Sequence, residues 1–243
     1  MIYDDDRILV VAAHPDDEVL GCGGTICAIS NMFPGAEISA IILSEGLTSR
    51  ENDFIRFTKA DIDSVKEDSL EAARILGYKN VFFEDLPNNR LDSMDLLDVI
   101  KIIERYVTDL QPTVVFTHHH SDINIAHRIT YQAVLTACRP MEGTSVKKLL
   151  SFEIPSSTEW AFPTYQSVFS PNVFYEIGEG NIEKKIMAMQ AYKMEKRTLP
   201  HPRSPEVLRA IALRWGSVAG MGYAESFELI YDRHINKTME QNA

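Results

Sequence analysis

Two short stretches of this chain gather side chains that can hold a cation or move a proton. The first, AHPDDE, presents His14, Asp16, Asp17 and Glu18 directly after the apolar run from Ile8 to Ala12. The second, HHHSDINIAH, presents His118, His119, His120, Asp122, Asn124 and His127 after the apolar run from Thr113 to Thr117. Adjacent carboxylates repel one another, so Asp16, Asp17 and Glu18 need either a compensating cation or abundant water. The donors on offer are carboxylate oxygens and imidazole nitrogens, with no cysteine in either stretch. Two imidazoles and one carboxylate, with positions left for water, suit catalytic zinc, and such triads also serve iron. His14 and Asp17 are close enough in the chain to share one ion at a tight turn, and the ion's charge would make the neighbouring acids tolerable. The chemistry implied is metal-assisted hydrolysis.

Stretches so far apart in sequence can act together only if the fold joins them. Ile8–Ala12, Ile38–Leu43, Val81–Phe83 and Thr113–Thr117 read as short, continuously apolar strands. Between them lie helical segments at Val19–Phe33, Ile62–Leu76 and Met94–Asp109, with a further one at Ala126–Cys138. Gly77 stands where a C-terminal cap is expected. This alternation predicts an α/β, Rossmann-like fold: a mostly parallel sheet with helices on both faces. Ligands of such sheets bind beyond the carboxyl ends of the strands, where strand order reverses, and the usual order sets the first and fourth strands together there. Both clusters would then converge on one crevice. Past Pro140 the pattern loosens: strands at Lys148–Ile154, Asn172–Ile177 and Phe227–Tyr231, and helices at Ile182–Tyr192 and Pro205–Val218. With no internal repeat or linker, residues 1–243 are expected to form a single domain.

Composition narrows the function further. A chain of 243 residues, 45% hydrophobic and 24% charged, has the make-up of a soluble α/β domain with a buried core. Its formal charge of -11 and lack of a basic stripe argue against nucleic acid or an anionic membrane as partner. No apolar run is long enough for a membrane span, and the opening MIYDDDR is acidic where a signal peptide would be basic; a cytoplasmic location is expected. Cys22, Cys27 and Cys138 form no CxxC pair and read as core thiols. Gly21, Gly23 and Gly24 lack the third glycine of a dinucleotide fingerprint, so they read as room for close packing. Trp160, Phe162 and Tyr165 read equally as a sugar-stacking wall or as part of a core or subunit interface.

AHPDDE after a first strand, GGT soon after it, and a distal histidine opening a helix resemble the PIG-L/LmbE family of zinc-dependent N-deacetylases. The stretch from His201 to Ile230, HPRSPEVLRAIALRWGSVAGMGYAESFELI, also looks like that family's usual ending. The resemblance implies His14, Asp17 and His127 as zinc ligands, Asp16 as general base, and removal of an acetyl group from an amino sugar or its glycoconjugate or nucleotide-linked precursor. Zn2+ is the expected cofactor, with Fe2+ as the alternative. The expected partner is a small amino-sugar molecule, and self-association is left open. Many members carry an acid just before the distal histidine, where this chain has Ala126, and a histidine where it has Asn124. Asp122 is then the candidate second partner of the site, with Asn124 or His120 as candidate oxyanion or substrate donors. Two alternatives stand beside this reading: cleavage of a larger amide, and a metal-binding member with weakened catalysis.

Overall fold

A computed structural model describes residues 2–162 and 168–234. Strand β1 (Arg7–Ala12) is followed by helix α1 (Asp17–Met32), strand β2 (Glu37–Ser44), helix α2 (Lys59–Leu76) and strand β3 (Asn80–Leu86). Helix α3 (Leu96–Leu110), strand β4 (Val114–His118), helix α4 (Ile125–Ala137) and strand β5 (Lys148–Phe152) continue the alternation. Strand β6 (Val173–Glu176), helices α5 (Gly178–Ala191) and α6 (Pro205–Ala219) and strand β7 (Ala224–Asp232) complete it.

The seven strands form one sheet in the order β3-β2-β1-β4-β5-β7-β6. The first five are parallel, and β7 runs antiparallel to both β5 and β6. Strand β1 thus pairs with β2 on one side and β4 on the other, which is the reversal point expected from the alternation. Successive residues of β1 feed opposite core layers. Ile8 and Val10 pack with α1, α2, α5 and α6, whereas Leu9 and Val11 pack with α3 and α4. Burial on both faces is why β1 has no polar alternation.

Local chemistry sets the element ends. Thr58 and Asp61 form a reciprocal capping box that starts α2 at Lys59, earlier than the apolar periodicity marks it. Gly77 closes that helix at φ 90°, a left-handed conformation that glycine adopts without strain. Ser204 caps α6, with Pro205 in its first turn. Strand β7 is longer than its apolar stretch because it is paired along both edges. In α1, a Cβ at Gly21 would lie 2.4 Å from the Phe152 ring, and one at Gly24 would lie 2.7 Å from Ile177. These glycines let α1 sit directly on the sheet.

Cys22, Cys27 and Cys138 are buried and unpaired with one another. Among the described residues no helix is long and apolar enough to cross a membrane.

Candidate active site

The chain leaves β1 through Ala13 and enters α1 by a tight turn built from the AHPDDE residues. Asp16 occupies the N-cap position at φ 98°, a left-handed conformation that costs an ordinary residue of order 1–3 kcal/mol. Its side chain makes no capping hydrogen bond to the helix; it turns instead to Arg203, whose Nη1 stands 2.5 Å from Asp16 Oδ2. Asp17 folds back over the turn, its Oδ2 accepting the His14 backbone N–H at 2.9 Å. Glu18 braces the loop from inside, accepting the Asp16 N–H at 3.1 Å and the Tyr192 hydroxyl. The four polar residues of the motif therefore have three separate tasks.

His127, on the first turn of α4, reaches the same point from the other side of the reversal. His14 Nδ1, Asp17 Oδ2 and His127 Nε2 lie 3.1, 3.1 and 3.3 Å from one another. Donors on a tetrahedral zinc, with bonds of about 2.0–2.1 Å, stand roughly 3.3 Å apart. The outer nitrogen of each ring faces an oxygen. His14 Nε2 is 3.0 Å from Asn89 Oδ1, and His127 Nδ1 is 3.1 Å from Asp122 Oδ2. Partners of this kind orient metal-ligating imidazoles. Asp17 Oδ1 is buried and has no hydrogen-bond partner among the described residues. The donor set fits a divalent ion.

The electrostatics say the same. Burial opposes a charge on His127, but Asp17 and Asp122 outweigh it and raise its pKa to about 10. Burial raises the Asp17 carboxyl, yet His127 and His118 reverse the effect and hold it well below the usual range. The cluster favours positive charge at its centre. Asp16 goes the other way: burial pushes its carboxyl well up, against the pull of Arg203 and with the help of Asp17, Glu195 and Glu18.

His118 is fully buried at the end of β4. Its Nε2 accepts the Ala13 N–H at 2.9 Å, and its ring stacks on His127 at 4.0 Å between centroids. Burial, then the charge of His127, lowers its pKa to about 3, so it is a neutral prop beneath the cluster. Asp122 is fixed by the Thr158 hydroxyl at 2.7 Å, the Ser157 hydroxyl and the Asn124 N–H at 2.8 Å. Asn124 caps α4, its Oδ1 accepting the Ala126 N–H at 2.8 Å. Ala126 itself is fully buried in an apolar group with Ala13 and Leu91.

A cavity of about 150 Å³ opens on this cluster. His14, Asp16, Asp17, Asn124, His127 and Arg203 all line it. His120 is not among its lining residues and sits instead beside His119 and Glu228. Trp160 and Phe162 are also outside it, exposed at the surface rather than buried in a core. Tyr165 falls outside the described residues. Arg203 and Asn89 went unnoticed in the sequence. Asn89 sits in the turn-rich LPNNRLD link, and Arg203 in a stretch with no local sign of its target.

The fold gathers a His–Asp–His cluster and a buried aspartate beyond the β1 and β4 ends, an arrangement compatible with an α/β hydrolase. The PIG-L family, described as GlcNAc-PI de-N-acetylase, matches residues 9–138, and the chain belongs to it. It is 28% identical over 191 residues to "Uncharacterized deacetylase YaiS" of Escherichia coli (strain K12), covering 76% of this chain and 90% of that protein. To "Diacetylchitobiose deacetylase" of Thermococcus kodakarensis it is 26% identical over 230 residues, covering 92% of this chain and 83% of that protein. Among solved structures, the conserved protein TT1542 from Thermus thermophilus superposes with a TM-score of 0.72 at 24% identity, covering 96% of this chain and 98% of that one. That likeness speaks for the fold.

Proposed function

We propose that this protein hydrolyses the acetamido group of an N-acetylated amino sugar, releasing acetate and the free amine. One observation carries the reading: three mutually close ligand atoms and the buried Asp16 carboxylate line the same small cavity. The relatives named as deacetylases, one acting on a diacetylated disaccharide by its name, support the reaction and the substrate class.

In this reading His14, Asp17 and His127 hold a divalent ion, with zinc favoured by the donor set and iron as the alternative. When bound, such an ion supplies Lewis acidity that polarises an amide carbonyl and eases deprotonation of water. The remaining work falls to the chain. Asp16 takes the proton of the attacking water and passes it to the departing nitrogen, and a carboxyl whose affinity for protons is raised by burial suits that exchange. Arg203 keeps Asp16 turned into the cavity and opposes its neutralisation. Asn124 lines the cavity and is the candidate donor to the developing oxyanion, an effect worth roughly 3 kcal/mol when a donor is preorganised. His120 drops out of that role because it does not line the cavity. Asp122 takes the place of the acid missing at Ala126, which weighs against a weakened site.

The test is acetate release from a panel of N-acetylated sugars, free and nucleotide-linked, beside amides with larger acyl groups, all on metal-loaded protein. Turnover confined to the acetylated sugars is expected. Turnover of the larger amides alone would replace this reading with the amidase.

A further inference from the structure

The three histidines at the end of β4 do not act together. Alternation along the strand sends His118 beneath the first cluster, while His119 turns to the opposite face. There His119 Nε2 meets Glu228 Oε2 at 3.1 Å, across β5 from strand β7. Because the chain turns as it leaves β4, His120 follows His119 rather than opposing it, and their rings stand 4.2 Å apart. One ligand atom from each of His119, His120 and Glu228 falls within 4.8 Å of the others.

We propose that His119, His120 and Glu228 form a second binding site for a divalent transition metal of the zinc class. The donors are two imidazoles and a carboxylate, the set that suits zinc, and none belongs to the first cluster. Neighbouring groups hold these side chains in place. His119 Nδ1 lies 2.8 Å from the Ser121 hydroxyl and accepts the Ser121 N–H at 3.3 Å, which fixes the ring. An ion at Nε2 would therefore displace the proton shared with Glu228. The Ser170 N–H holds the other Glu228 oxygen, leaving Oε2 turned toward His119. His119 is buried while His120 and Glu228 are partly exposed, so an ion can enter from solvent on their side.

Calorimetric titration of zinc into the chelator-stripped full chain tests this, with elemental analysis after gel filtration. The parent is expected to bind two equivalents. His14→Ala should lose the first and keep the second, and Glu228→Gln should do the reverse, its retained first equivalent serving as the folding control. His120→Ala should match Glu228→Gln. One equivalent in the parent, lost in His14→Ala and kept in Glu228→Gln, would overturn the second site and leave a plain His119–Glu228 hydrogen bond. So would two equivalents untouched by both Glu228→Gln and His120→Ala. Loss in Glu228→Gln without loss in His14→Ala would instead count against the first site alone.

Discussion

Arg203 Nη1 stands 2.5 Å from Asp16 Oδ2, joining residues 187 positions apart at the mouth of α1. The same guanidinium donates from Nε to the Ser156 hydroxyl at 2.7 Å and lies 3.3 Å from Glu195. A planar fork holds its donors in fixed directions toward these partners, a spread that a compact ammonium does not reproduce. The Asp16 carboxylate is thereby held off the helix it would otherwise cap.

Removing that hold should separate positioning from metal binding. Arg203→Met is expected to lower kcat about 10- to 100-fold, the range seen when a partner that orients a working side chain is lost. KM should change much less, and metal content should stay at the parental level. Arg203→Lys should recover part of the loss. Steady-state kinetics with elemental analysis of the same samples checks this, and parental kcat in Arg203→Met would remove Arg203 from the account.

The two aspartates of the motif should respond differently. Asp16→Asn should retain fold and metal but lose turnover by ~10²-fold or more, the scale of a lost general base. Asp17→Asn and His14→Ala should lose the metal itself, since two remaining donors hold a divalent ion poorly. Dialysed protein analysed for metal decides the point. Equal metal in His14→Ala and parent would displace the ligand assignment.

Much of this site was legible in the sequence. Once the strand–helix alternation implied a parallel sheet, the β1 and β4 ends had to be neighbours, so AHPDDE and His127 were expected to meet. Side chains whose role depends on a distant approach were not legible. Asn89 reaches His14 from a loop after β3, and Arg203 reaches Asp16 from ahead of α6. Asn89 stands in no motif, and the family-like HPRSP stretch around Arg203 does not name its distant target. The His118–His120 run was ambiguous for another reason: its first member lies in the strand and its last beyond it, so one unbroken sequence serves two faces.

Ala126 illustrates the same limit. From the sequence, an acid there looked like a missing neighbour for His127. The structure buries position 126 against Ala13 and Leu91 and gives His127 to Asp122. Ala126→Asp should therefore destabilise the protein by about 3 kcal/mol or more, the scale of an unpaired buried charge, without raising turnover. Asp122→Ala should cut activity or metal affinity ~10- to 100-fold. Thermal unfolding and kinetics on the two variants check both, and a gain in Ala126→Asp would reverse the assignment.

The close seat of α1 on the sheet is testable apart from catalysis. Gly21→Ala places a methyl group against the Phe152 ring, where 2.4 Å leaves no room. Overpacking of this kind costs about 1–3 kcal/mol, so denaturant unfolding should show a lower midpoint at unchanged slope. An unchanged midpoint would mean that α1 shifts freely on the sheet.

The central claim is that the His14–Asp17–His127 cluster and Asp16 together cleave an acetamido group. Its most direct measurement is acetate release from N,N'-diacetylchitobiose by chelator-stripped protein, before and after one equivalent of zinc or ferrous iron. The account predicts no release from the stripped protein, recovery on adding metal, and no recovery in His14→Ala. Acetate release that persists unchanged through chelation, or that His14→Ala shares with the parent, would contradict it.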